Sequence, residues 1–240
     1  MAFADIEGSF TRFMDIPILY KTNQFFFCEK PVGVASEGEK ETDLPVLLEH
    51  QLHKPVYPVH RLDQGVGGVM VFALTKQAAA HLSRQVQQHT MEKEYWAVVT
   101  GVPEEPQGTF HDFLYRDAVK RKAFVVKKVR RGVKEAVLHY QVEKTVLQQS
   151  DVFSLIKIQL VTGRFHQIRV QFAYRHMPLV GDGKYGSRIK APAPALWCAG
   201  LTVKDPQTGE TVRIEKQPSQ KDFPWKLFFD LSCTAKGEGL

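Results

Sequence analysis

The stretch His60–Lys76, HRLDQGVGGVMVFALTK, decides how the chain is read. Val66 to Leu74 is apolar, with Gly67 and Gly68 at its start, which is the pattern of a central strand leaving a tight loop. Thr75 can cap a following helix, Lys76 to about His89, that carries Ala79, Leu82 and Val86 on one face. His60-Arg61-Leu62-Asp63 comes just before, between Pro55 and Pro58 on one side and the glycines on the other. A loop that crowds His, Arg and Asp against a buried strand is a good place for a site, because loops on rigid scaffolds carry function. Asp63 could act there as a nucleophile or base, with Arg61 offering a cation to phosphate. A loop-bracing ion pair is the plainer alternative.

Working outward, Gln24 to Cys28 is an apolar run entering the turn Lys30-Pro31-Val32-Gly33, a buried strand followed by a loop. Leu44 to His53 is expected to be helical, with Asp43 as N-cap and Pro45 tolerated in the first turn. Downstream, strands are expected at Glu94–Thr100, Thr109–Tyr115, Ala123–Val129, Glu135–Lys144, Phe153–Val161 and Leu196–Lys204. A helix is expected from about Arg164 to Arg175 and a short one near Pro224–Leu231. Strands outnumber helices, and several follow one another through hairpin-length turns. The pattern indicates an α+β class: one domain over residues 1–240, core about 18–216, with a mixed, largely antiparallel central sheet flanked by helices and loops.

Composition narrows the function classes. No run approaches the ~18 apolar residues that would span a bilayer, and Met1 to Tyr20 carries Asp5, Glu7 and Asp15 without a basic start, unlike a signal peptide. A cytoplasmic location is expected. Cys28, Cys198 and Cys233 form no CxxC pair, so they read as reduced thiols rather than a disulfide or zinc framework. The histidines show no ligand spacing, and no metal is expected. A net charge of +6 and a pI near 9.1 favour polyanionic partners, since phosphate contacts release counterions.

Three further segments could carry chemistry. In LVTGRFHQIR (Leu160 to Arg169), Arg164, Gln167, Gln171 and Arg175 fall on one helical face, away from Phe165, Ile168 and Phe172. That face could hold phosphate near the helix start or be a solvated polar surface. In Lys93-Glu94-Tyr95-Trp96-Ala97 the aromatics could be strand packing, or Tyr95 could line a cleft and stack on a base. From Lys120 to Lys134 come Lys120, Arg121, Lys122, Lys127, Lys128, Arg130, Arg131 and Lys134. This is either a solvated charge run or a hairpin tip gripping a phosphate backbone.

In series, these segments resemble the RluA family of RNA pseudouridine synthases over most of the chain. Lys30-Pro31-Val32-Gly33 resembles its Lys-Pro-x-Gly motif and His60–Lys76 its HRLDxxTSGxxxxA motif. KEYWAVVTG (Lys93 to Gly101), LVTGRFHQIRVQ (Leu160 to Gln171), MPLVGDGKYG (Met177 to Gly186) and LWCAGLTVKDPQTGE (Leu196 to Glu210) follow in the family's order. Val66-Gly67 stands where the family has Thr-Ser, Phe165 where it has Thr and Trp197 where it has His.

The resemblance implies the pseudouridine synthase fold and cofactor-free isomerisation of a flipped uridine in structured RNA, tRNA or rRNA. It implies Asp63 as nucleophile, Arg169 as its ion-pair partner, and Tyr95 stacking on the ring and helping to remove the proton from carbon five. Arg61 would fill the gap left by the flipped nucleotide. His60, Lys93, Lys127, Lys128, Arg130, Arg131, Arg164 and His166 are the remaining candidate RNA contacts. Lys30 lies so near the N-terminus that a separate preceding domain, which needs at least ~50 residues, is not expected. A monomer choosing substrate through its catalytic domain is. The rival is an inactive RNA-binding or assembly factor of the same fold, although a binder gains nothing from a carboxylate near phosphates. A glycosidase would need two positioned acids, and no second acid is expected beside Asp63.

Overall fold

Phe25, Phe26, Phe27 and Cys28 point alternately to the two sides of a strand, and both sides are covered, so the run is apolar throughout. Phe26 and Cys28 pack with Leu44, Leu48, Met70 and Phe72 on one side. Phe25 and Phe27 pack with Val69, Val71, Ala78 and Leu82 on the other. Burying each such side chain contributes roughly 1.5–3 kcal/mol.

The computed structural model describes residues 14–229. The strands are β1 (Ile18–Lys21), β2 (Phe25–Lys30), β3 (Tyr57–Pro58), β4 (Gly67–Ala73), β5 (Glu92–Thr100), β6 (Gln107–Asp117), β7 (Lys122–Val125), β8 (Val133–Gln148), β9 (Asp151–Leu160), β10 (Leu196–Lys204) and β11 (Thr211–Glu215). The helices are α1 (Leu44–Leu52), α2 (Lys76–Gln87), α3 (Gln167–Tyr174) and α4 (Lys226–Phe229), with a 3-10 turn at Gly183–Tyr185. One 11-stranded sheet runs β1-β2-β4-β10-β5-β9-β8-β6-β7, with β11 beside β10 and β3 beside β4. Among the described residues its pairings are antiparallel except β4 with β10, where Trp197 faces Gly67 and Cys198 faces Gly68. The mixed, largely antiparallel sheet is therefore the one expected. Gly68 has φ +121 and lies against the Cys198 backbone, a position open only to glycine.

Several local expectations change. Asp43 has the extended backbone of an N-cap, but its carboxylate accepts from Lys40 N (3.0 Å) instead of a helical N–H. Thr75 does cap α2, accepting from Ala78 N at 3.1 Å. The strand expected over Ala123–Val129 stops at Val125, where the cationic loop begins. The helix expected from Arg164 begins only at Gln167, because His166 is left-handed (φ 54) and cannot lie inside an α-helix. Its polar face is not solvated: Gln167 and Gln171 are buried. Gln167 donates to Val137 O (3.1 Å) on β8, while Gln171 and Arg175 donate to Asp112 on β6 (2.7 and 2.9 Å). Carbonyl and carboxylate partners on the sheet make that burial affordable. Strands β1 and β11, short and half polar, were not expected. Cys28 and Cys198 are free and buried. Cys233, the first thirteen residues and the end of the expected Pro224–Leu231 helix lie outside the described residues.

Candidate active site

Asp63 lies in the loop that enters β4, and the neighbouring Lys30-Pro31-Val32-Gly33 turn holds that loop in place. Gly33 N donates to Gln64 O (2.8 Å) and Gln64 Nε2 returns a bond to Gly33 O (2.9 Å). Lys30, 0% exposed, spends its ammonium on Val66 O (2.7 Å), Pro31 O (2.9 Å) and Gln64 O (3.2 Å). Burial pushes Lys30 down to about 8, opposed by the Asp63 charge. Ser36 Oγ donates to Leu62 O (2.7 Å). The loop is thus fixed from outside its own sequence.

The first turn of α3 supplies the cation. Arg169 Nη1 donates to Asp63 Oδ2 at 3.0 Å, while Nε and Nη2 grip both oxygens of Asp182 at 2.6 and 2.9 Å. The planar guanidinium suits such a fork, which fixes its orientation. Asp182 is 1% exposed and just precedes the 3-10 turn. A second acid therefore does stand near Asp63, contrary to the expectation. Both of its oxygens are held by Arg169, so it is not placed to serve as a glycosidase's acid.

Asp63 borders two adjoining cavities of about 420 and 410 Å³. The first is lined by His60, Arg61, Lys93, Tyr95, Arg116, Arg164, Phe165, His166 and Arg169, among others. It brings together seven of the expected site residues beside Asp63, though they come from three separate stretches of the chain, 60–61, 93–95 and 164–169. Tyr95 faces this cavity, whereas its strand neighbour Trp96 turns away and stacks on Phe229 (5.5 Å between ring centroids). Burial, then Cys198 and Asp63, raises Tyr95 well above the usual phenol range, so it stays a phenol. His60 Nε2 accepts from Val71 N (3.1 Å), and burial and Lys93 lower its pKa, which leaves it neutral. Burial also lowers Lys93. Arg61 is exposed and pairs with Glu37 at 2.6 Å. Arg164 Nε donates to Glu135 O (2.8 Å).

Lys127, Lys128, Arg130 and Arg131 lie in the exposed loop between β7 and β8 and do not line either cavity. Other cations of the same segment do reach the site: Arg121 lines the second cavity, and Lys122 Nζ lies 5.0 Å from the Tyr185 ring. Sequence reasoning gave no role to Lys30, Asp182, Tyr185 or Lys184. The signal lay in the Lys-Pro turn and in MPLVGDGKYG. Among the described residues no cluster of His, Cys, Asp or Glu could hold a metal, and no helix is long and apolar enough to cross a membrane.

Residues 24–174 match the family model for RNA pseudouridylate synthase. The chain is 33% identical to the uncharacterized RNA pseudouridine synthase slr1629 of Synechocystis over 82% of this chain and 64% of that protein. It is 32% identical to ribosomal large subunit pseudouridine synthase D of Pseudomonas aeruginosa (89% of this chain, 71% of that protein). It is also 32% identical to tRNA pseudouridine synthase C of Haemophilus ducreyi (72% and 75%). The chain spans less than two thirds of the length of the Synechocystis relative. The solved structure of human RNA pseudouridylate synthase domain containing 1 has the same fold, with a TM-score of 0.73 at 23% identity over 86% of this chain and 84% of that one. With the family model covering well over half of its residues, this chain belongs to the RNA pseudouridylate synthase family.

Proposed function

We propose that the protein isomerises a uridine of structured RNA, tRNA or rRNA, to pseudouridine, with Asp63 as the nucleophile and no cofactor. One observation carries the reading: a single open carboxylate at a cavity large enough for a nucleotide, braced by Arg169 and with a buried tyrosine ring in the same wall. A base inside a helix cannot reach such a carboxylate, so the uridine must be flipped into the cavity. Tyr95 offers its ring to the uracil face, and the exposed Arg61, which lines the same cavity, fills the gap left by the flipped nucleotide. Asp63 displaces the uracil from carbon one of the ribose. The base turns while trapped and rejoins through carbon five, expelling the Asp63 carboxylate from carbon one of the ribose. Carbon five then loses its proton and the freed ring nitrogen ends with one. Because Tyr95 is a phenol, any share it takes in that proton transfer requires its own proton to pass to a neighbour.

Relatives named for ribosomal RNA and for tRNA support the RNA substrate class and leave both pools in view. The reading includes action as a monomer in the cytoplasm. Tritium release from RNA labelled at carbon five of uridine tests it, with total tRNA and rRNA assayed separately. Release by wild type, absent in Asp63→Asn although RNA still binds, is the expected result. Binding without release from either pool favours the RNA-binding factor.

A further inference from the structure

Asp63 has a second neighbour besides Arg169. His166 Nε2 lies 3.5 Å from Asp63 Oδ2, and on the other side of the ring Nδ1 is 2.9 Å from the Tyr185 hydroxyl. That hydroxyl already accepts the N–H of Ala123, at the start of β7, at 2.8 Å. The imidazole is neutral: burial brings it down to about 4, Asp63 and Asp182 opposing the fall while Arg169 and Lys184 deepen it. A neutral ring has one N–H. A carboxylate facing Nε2 calls for that proton on Nε2, which makes Nδ1 the acceptor and the Tyr185 hydroxyl its donor. The chain of donors then runs in one direction, Ala123 N–H to Tyr185, Tyr185 to His166 and His166 toward Asp63.

Both contacts to Asp63 fall on Oδ2. Oδ1 accepts no hydrogen bond from any described residue. The 3.5 Å gap is longer than a formed hydrogen bond, as is common for a catalytic contact before substrate binds. His166 is well placed to be fixed. It is held left-handed at the entry of α3, stacked on Phe165 at 3.7 Å between centroids, and Phe165 in turn lies under Arg116 (4.4 Å).

We propose that His166, held in its Nε2–H tautomer by the Tyr185 hydroxyl, is a positioning residue that donates to Asp63 Oδ2 once RNA is bound and so turns Oδ1 toward the substrate. The inference rests on the synthase reading of Asp63. It also ties β7, next to the cationic loop, to the reacting carboxylate through one hydroxyl.

Two measurements on the full chain decide it. Ring 15N shifts of His166 in the wild type report the tautomer whether or not RNA turns over. Nε2–H is expected, shifting to a mixture in Tyr185→Phe, and an Nδ1–H ring in the wild type overturns the inference. The second is the single-turnover rate of tritium release from labelled total tRNA and rRNA, measured beside RNA affinity. His166→Leu and Tyr185→Phe should each slow release about tenfold, the scale of one hydrogen bond, with affinity unchanged. His166→Gln, whose amide can donate near the Nε2 position, should recover most of the rate. Tyr185→Phe should cost nothing further on that background. Equal losses in His166→Gln and His166→Leu, or losses confined to affinity, would overturn it. A wild type that releases no tritium sinks the synthase reading instead, while the 15N shifts still judge His166.

Discussion

Trp197 stands directly across the parallel ladder from Gly67, and its indole fills the space that a β-carbon on Gly67 would need, with Cε3 only 2.9 Å from that point. The two departures from the family pattern, Gly67 for Ser and Trp197 for His, are therefore one packing solution. Trp197 is buried in the cluster with Val98, Ala195 and Trp225, and its indole N–H donates to Lys216 O at 2.6 Å.

The pair should show this in a double-mutant cycle. Gly67→Ser alone overpacks the site and should destabilise by about 1–3 kcal/mol. Trp197→His alone leaves a void and should cost roughly 2–4 kcal/mol, somewhat less than a truncation to alanine. Together they should cost at least about 1 kcal/mol less than the sum. Urea denaturation measures all three, and simple additivity would refute the coupling.

Lys30 is the brace of the Asp63 loop. Lys30→Met keeps the stem but leaves three carbonyls without their donor, so a loss of about 2–5 kcal/mol is expected. The loop should also open more often, seen as faster amide exchange at Val66, whose N–H bonds Asp63 O at 2.9 Å. A change below about 0.5 kcal/mol, the range of ordinary surface substitutions, would show that the ammonium is not holding the loop.

The cationic loop between β7 and β8 should act by charge alone. Replacing Lys127, Lys128, Arg130 and Arg131 with alanine should weaken RNA binding and reduce the slope of log K against log salt by roughly 3. Fold stability should hardly change, because these side chains are exposed. An unaltered slope would mean that RNA does not touch this loop.

His166 should make stability depend on pH. Its folded pKa, about 4, lies below the ordinary 6.5, so between these values the unfolded chain binds the extra proton. Its contribution is complete above pH 6.5 and is lost as pH falls toward 4. Denaturation at pH 7 and pH 5 should therefore show a larger drop in wild type than in His166→Gln. Equal drops would mean that the ring is already charged in the folded protein, which Arg169 and Lys184 oppose.

The elements that carry the site were largely legible in the sequence. Phe25 to Cys28 and Gly67 to Ala73 are apolar because both faces of each strand are buried, and the Thr75 cap is a contact only three residues long. Such signals are local, and a periodicity or a cap needs no partner from elsewhere. The loop of Asp63 stood out by residue type as a candidate, but His, Arg and Asp there could equally brace a loop, and only the series of family motifs gave Asp63 its role.

What the residue pattern alone left open is where long-range partners decide. Gln167 and Gln171 read as part of a face that holds phosphate or is solvated, yet they are buried because Val137 O and Asp112 meet them from the sheet. Lys30, apparently a turn lysine, became the anchor of a loop 36 residues away at its farthest bond. Arg169 reaches Asp63 across 106 residues and is aimed by Asp182, while Tyr185 orients His166 from another loop. Burying a polar or charged group is costly unless geometry supplies its partner. The amino-acid sequence set the strands, the helix caps and the chemistry available. Only the tertiary structure decided which charges meet, because those partners are close in space and far apart in the chain.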